Sequence, residues 1–149
     1  MSTLHLSAEL LAPVERYALM AHQAAGEVVI DTGRPFDKRR KGLHRFTIAD
    51  TRGILTFTIP VAKPASYHTA VDADILLSDH APWWNTVMTA LESAYGRTPF
   101  FEFYADDVAA ILSRERVGTP VVELCRALDE FVCPILDIPT PRYARLGEG

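Results

Sequence analysis

Only two cysteines, Cys125 and Cys133, occur among the 149 residues of this chain. They stand eight apart in a predicted helix, about 12 Å at helical rise, too far for a disulfide. Both read as buried thiols of a reducing compartment, and a disulfide framework is excluded. No Cys/His spacing resembles a zinc site, so no metal is expected. No apolar run approaches the ~20 residues a membrane span needs. The N-terminal stretch MSTLHLSAELL lacks a basic n-region and a long apolar core, so no signal peptide is expected and the cytoplasm is the expected location. The phosphate- and dinucleotide-binding glycine patterns, GxxxxGK and GxGxxG, are absent, and so is the nucleophile elbow GxSxG.

What remains is an ordinary globular composition, 48% hydrophobic and 23% charged, long enough for one domain with a real core. The charge is unevenly spread. Between Arg34 and Arg45 stand six basic residues and one acid, Asp37, so the segment carries +5. The whole chain carries −4, which leaves −9 elsewhere. A nucleic-acid binder spreads positive charge over a face. A single basic segment on an acidic body suits a compact anion instead, such as a phosphorylated small molecule or a nucleotide-sugar. Nucleic acid is not an expected partner. The plain alternative is a solvated surface loop.

The hydrophobic pattern predicts a single α/β (or α+β) domain over 1–149, with 139–149 a loose tail. A mixed sheet of about five strands is expected, packed by C-terminal helices. Leu4–Leu6 reads as a short strand. Pro13 opens a helix with Val14, Tyr17, Ala18 and Ala21 on one side, ended by Gly26. Val28–Ile30, apolar on both faces and ending at Asp31, reads as a central strand. Together these make a Rossmann-like β-α-β start, whose ligand mouth would lie around Ser7, Leu11–Pro13 and Asp31. His44–Ala49 and Ile54–Val61 flank Asp50-Thr-Arg-Gly53 and read as a hairpin. Asp74–Leu77 is a further strand candidate.

Two amphipathic helices follow. Trp83, Trp84, Val87, Met88, Leu91, Ala94 and Tyr95 form one apolar stripe, with Asp79 the expected N-cap, Pro82 in the first turn and Gly96 the stop. Thr119 and Pro120 open the last helix, with Val121, Leu124, Cys125, Leu128, Phe131, Val132 and Ile135 facing inward and Pro134 at its end. Between them a helix is expected from about Ala105, with Asp106 and Asp107 at its positive end.

Candidate chemistry gathers near predicted strand ends and helix starts. His5, His44 and His80 stand there, whereas nothing singles out His22 or His68. His80 follows Asp79, an acid that can orient a histidine for general-base work. His44 and Arg45 close the basic segment, where an arginine can clamp a phosphate or carboxylate bidentately, with Arg39 and Arg40 beside it. Trp83 and Trp84 offer faces on which a sugar or base can stack, and at least one should be core. The plain alternatives are a capping histidine and capping aspartates.

The stretch Ser78–Asp107, SDHAPWWNTVMTALESAYGRTPFFEFYADD, resembles the central signature of the WbqC-like family. In that family an acid/His segment with Trp leads into a helix ending Ala-Tyr, then a Pro-Phe-Phe-Glu-aromatic run. LLAPVERYALM is similar to the family's N-terminal Pro-x-x-Tyr helix. VVIDTGRPFDKRRKGLHRFTIADTRGILTFTIPV resembles its strand, basic loop and hairpin. The resemblance covers about Leu10 to Leu136 and is to the short form of the family. It implies an association with O-antigen and other surface-polysaccharide biosynthesis. It also implies a transferase that decorates a nucleotide- or lipid-linked sugar, with an amino acid such as glycine one suggested group.

Three functions are therefore carried forward. One is that transferase, with His80 and Asp79 catalytic and Arg39, Arg40, His44, Arg45, Asp31, Tyr17, Trp83 and Trp84 binding substrate. The second is a non-catalytic binding or scaffold protein with biosynthetic protein partners. The third is a nucleotide-binding, adenylate-forming domain. A fixed His–acid geometry favours an enzyme, and an open aromatic surface without a cleft favours the scaffold.

Overall fold

The computed structural model describes residues 3–10, 17, 20–21, 27–37, 43–50, 53–66 and 69–145. Within them the chain is a mixed α/β domain of five strands and three α-helices around one hydrophobic core. Strands β1 (Thr3–Ser7), β2 (Glu27–Asp31) and β5 (Arg142–Ala144) form a parallel sheet in the order β1-β2-β5. Strands β3 (Arg45–Asp50) and β4 (Gly53–Thr58) form a separate antiparallel pair.

The sequence led us to expect one mixed sheet, and the strands divide between two. β4 pairs antiparallel with β3 from Arg45↔Thr58 to Asp50↔Gly53. Gly53 takes φ 126° there, a conformation that disfavours any side chain. Parallel neighbours instead need a crossover, and β1 and β2 pair in parallel from Thr3↔Glu27 to Ser7↔Asp31. The crossover helix expected from Pro13 lies mostly outside the described residues, though Tyr17, Met20 and Ala21 have helical backbone. Of the Rossmann-like start the described residues show the parallel β1–β2 pair. After β2 the next strand in sequence belongs to the hairpin, and the third strand of the parallel sheet comes from the far end of the chain.

β2 is central, as its composition requires. Val28, Val29 and Ile30 are 7%, 1% and 0% exposed, so both faces are covered. Burial of each such side chain stabilises by roughly 1.5–3 kcal/mol. The expectation of a loose tail from 139 is corrected by β5. Its residues pair Val29↔Arg142, Ile30↔Tyr143 and Asp31↔Ala144, and so satisfy backbone groups on the second edge of β2.

The helices are α1 (Trp83–Tyr95), α2 (Pro99–Ile111) and α3 (Val121–Ile135). In α1 Trp83 and Val87 are buried, and Trp84, Met88, Leu91 and Ala94 pack against the core. The helix lies against β3, where Phe46 stacks on Phe57 with ring centroids 5.5 Å apart. Its N-cap is Pro82, not Asp79. The Ser78 hydroxyl accepts the His80 N–H at 3.1 Å, and the Ser78 carbonyl accepts Trp83 Nε1–H at 3.1 Å. Those bonds hold residues 78–82 as a turn and delay the helix. Gly96 ends α1 as expected, its N–H bonding the Glu92 carbonyl at 2.8 Å.

The next helix begins six residues before the expected Ala105. Thr98 caps it, its hydroxyl accepting the Phe101 N–H at 3.2 Å, and Pro99 occupies the first turn. Asp106 and Asp107 therefore lie in mid-helix and exposed, not at a positive end. α3 starts after Pro120 and buries Val121, Val122, Leu124, Cys125, Leu128, Asp129 and Cys133, with Pro134 in its last turn. Both cysteines are free and buried. Asp74–Leu77 is not a continuous strand. A 3-10 turn covers Asp72–Asp74, and Leu76 and Leu77 make isolated bridges to Pro120 and Val61. Among the described residues no helix is long and apolar enough to cross a membrane.

Candidate functional site

Open parallel sheets take ligands beyond the carboxyl ends of their strands. Here that edge is where β2 ends at Asp31. Three segments meet beyond it. The Thr32 N–H bonds the Ala144 carbonyl at 2.9 Å, which ties in the end of β5. The Ala73 N–H bonds the Thr32 carbonyl and the Asp72 N–H bonds the Arg34 carbonyl, both at 2.9 Å. Phe36 N–H to Ala70 carbonyl, also 2.9 Å, extends the pairing. The Asp31 carboxylate accepts the Gly33 N–H at 2.8 Å, which turns the chain sharply after the strand. Arg34, the first cation of the basic segment, follows and is exposed.

Two buried carboxylates stand near this edge, and sequence reasoning named neither. Asp72 is 0% exposed in the segment paired with Thr32–Phe36. Asp129, on α3, is 1% exposed and accepts the Tyr17 hydroxyl at 3.0 Å and the Tyr143 hydroxyl at 2.6 Å. The predicted ligand residue Tyr17 is thus engaged with a core carboxylate across 112 positions of sequence. A signal for Asp129 did exist. It stands four residues after Cys125 and one after Leu128, an acid within an otherwise apolar stripe.

The far end of the basic segment reaches a second cluster. Arg39 and Arg40 lie outside the described residues. His44 is half-buried, with Nδ1 3.2 Å from the Ile59 carbonyl, and the Ile59 N–H bonds the His44 carbonyl at 2.8 Å. Arg45 Nε–H donates to Thr58 Oγ1 at 2.9 Å on the exposed face of the hairpin. On the other side of Ile59–Pro60, the Ser78 N–H bonds the Pro60 carbonyl at 3.0 Å. His44 and Ser78 therefore flank one extended segment. Hydrogen-bonded neighbours lie roughly 4.8 Å apart, so the two backbones are roughly 10 Å apart. Asp79 and His80 follow Ser78 directly, and both are exposed.

The tryptophan pair separates. Trp83 is 3% exposed, T-stacked on Trp84 with centroids 5.5 Å apart, and belongs to the core. Its expected stacking role is corrected by that burial. Trp84 is half-buried and keeps part of its ring accessible.

A cavity of about 490 Å³ lies elsewhere, between the three helices, and shares no residue with these clusters. At the amino end of the parallel sheet, Arg142 Nε–H donates to Glu27 Oε1 at 2.7 Å. That hydrogen bond, with the Arg142 charge and more weakly His5, holds the Glu27 carboxyl below its ordinary range despite some desolvation. The same bond raises Arg142. Among the described residues no group of three or more potential ligands is arranged to hold a metal ion.

A small α/β protein results, with buried acids and the root of a basic segment at the carboxyl edge of a parallel sheet. Residues 12–145 match the WbqC-like protein family, and the chain belongs to that family. No curated protein and no solved structure matches the chain.

Proposed function

We propose that this WbqC-family protein is a cytoplasmic transferase of surface-polysaccharide biosynthesis that modifies a nucleotide- or lipid-linked sugar. In this reading the segment Arg34–Arg45 binds the phosphate, with Arg39, Arg40 and Arg45 as its clamps and His44 beside them. Asp31 borders the sugar side, and Trp84 offers a ring for stacking. His80, with Asp79 next to it, takes the proton of the acceptor hydroxyl or amine as its oxygen or nitrogen attacks the carbonyl of an activated donor, such as a glycyl ester; the carbonyl's bond to the donor's leaving group breaks, and the leaving group departs with the proton from His80.

The observation that carries the reading is the ladder through Ile59–Pro60. It holds His44 on one side and Ser78, two residues before His80, on the other. In this reading one substrate spans from a phosphate at Arg45 to an acceptor group at His80. The exposure of both His80 and Asp79 favours a second reading, a non-catalytic binding protein that docks the same sugar phosphate.

Turnover separates the two. The protein is incubated with nucleotide-sugars and activated glycine donors, and products are read by mass spectrometry. The transferase reading expects a sugar-linked adduct from the wild type, none from His80→Gln, and an unchanged melting temperature. An active His80→Gln variant would remove His80 from the mechanism. Binding without turnover in the wild type would leave the docking protein.

A further inference from the structure

We propose that two copies of the chain join through the outer edge of β4, antiparallel about a two-fold axis at Thr56. Strand β4 pairs with β3 on one side, and among the described residues no strand pairs with its other side. The hydrogen bond from the Ile59 N–H to the His44 carbonyl fixes which groups look outward. In an antiparallel pair every second opposed couple exchanges backbone bonds, so Phe57, Leu55 and Gly53 are the residues that bond β3. The N–H and carbonyl groups of Ile54, Thr56 and Thr58 therefore point away from β3. Among the described residues they enter no hydrogen bond.

The side chains lead from the edge to its partner. Opposed residues of a hairpin share a face, so Leu55 and Phe57 stand on the core-facing side with Ile48 and Phe46. Ile48 and Phe46 are both 4% exposed, whereas Leu55 is 38% exposed and Phe57 half-buried. The apolar face thus runs past its cover to the open edge. Edge strands are ordinarily guarded by a charge, a proline or a bulge. β3 has Arg45 and Asp50 at its ends, but β4 reads Gly-Ile-Leu-Thr-Phe-Thr and pairs one-to-one without a bulge. A second β4 completes this edge. With Thr56 opposite Thr56 of the second copy, Ile54 lies opposite Thr58, and all three outward residues bond. Leu55 then meets Phe57 of the second copy on the core-facing side, and no charge meets its like. The two Arg45 positions stand roughly 20 Å apart on the opposite face. The dimer therefore leaves the phosphate sites proposed above separate, and it does not rest on that function.

The test is sedimentation equilibrium of the whole chain from micromolar to millimolar concentration. A reversible monomer–dimer equilibrium is expected, and a weak one, because a single strand on each side makes a small interface. Thr56→Pro removes an outward N–H and leaves the bonds to β3 in place. It weakens the dimer about tenfold or more while circular dichroism stays that of the wild type. Thr56→Lys sets two like charges against each other on the axis and does the same. Oxidised Thr56→Cys crosslinks into a dimer, since the opposed Cα atoms lie about 5.5 Å apart, within disulfide reach. Ile54→Cys, about 14 Å from its copy, does not. A monomer at every concentration overturns the proposal and leaves the edge to a strand of another protein. Wild-type dimerisation in the folded Thr56→Pro and Thr56→Lys variants overturns it too, as does growth beyond a dimer. Crosslinking of Ile54→Cys as readily as Thr56→Cys overturns the two-fold at Thr56.

Discussion

The carboxyl edge of the parallel sheet and the three-helix cavity are built from opposite materials. Near the sheet edge two carboxylates are buried, and one of them is held by groups from distant parts of the chain. Asp129 joins Tyr17 before β2 to Tyr143 in β5. Around the cavity the wall is almost wholly hydrocarbon, and the Thr98 hydroxyl serves to turn one helix into the next. A buried polar junction has few substitutes for any one partner, while an apolar wall can repack. The polar edge should therefore be the brittle part of the molecule and the helical region the adaptable part.

Asp129→Ala is expected to have the largest effect. It leaves two phenols without their carboxylate, and about 3 kcal/mol of stability should be lost in urea unfolding. Asp129→Asn, which keeps an acceptor, should lose less. If Asp129→Ala costs no more than an ordinary surface substitution, the contrast between the regions fails.

Gly96→Ala probes the helical side. An added Cβ would press on the Glu92 carbonyl oxygen at the end of α1. The expected loss is about 1–2 kcal/mol, smaller because the turn can open slightly. Thermal unfolding of the variant measures it. A loss exceeding that of Asp129→Ala would reverse the ranking.

The smallest effect belongs to Glu27 at the amino end of the sheet. Its carboxyl is held below the ordinary range by the Arg142 hydrogen bond. A lowered folded pKa gives a contribution present above the unfolded value of about 4.3 and lost as pH falls through the folded one. Wild type should therefore exceed Glu27→Gln slightly at pH 6, and the difference should start to shrink as pH falls to about 4.3 and vanish only below the folded value. Because the pair is solvent-exposed, salt should shrink the difference as well.

How much of this was legible depended on whether the signal was local. Val28–Ile30 is apolar on both faces, and the alternation around Asp50–Gly53 marks a hairpin, so both were readable. The stripes of α1 and α3 were readable from spacing alone. The start of α2 was missed although Thr98-Pro99 carried a cap and a first-turn proline. β5 was hidden because three residues have no period, and only the open edge of β2 calls for them. Asp72 and Asp129 were hidden because a buried acid is defined by partners far away in sequence. The site residues divided in the same way. Burial of Trp83 follows from its helix, while the nearness of His44 to Ser78 follows only from the chain passing between them at Ile59–Pro60.

The central claim is that the Arg34–Arg45 segment is a phosphate site next to His80, not a solvated loop. Its most direct test is calorimetric titration of a nucleotide diphosphate-sugar, and of pyrophosphate alone, into wild type and the Arg40→Glu/Arg45→Glu double variant at low salt. Loss of two charge-assisted contacts should weaken binding by about a hundredfold, with melting temperature nearly unchanged. His80→Gln should bind as wild type does. Equal binding by the folded double variant and the wild type would contradict the claim and leave the basic segment as surface.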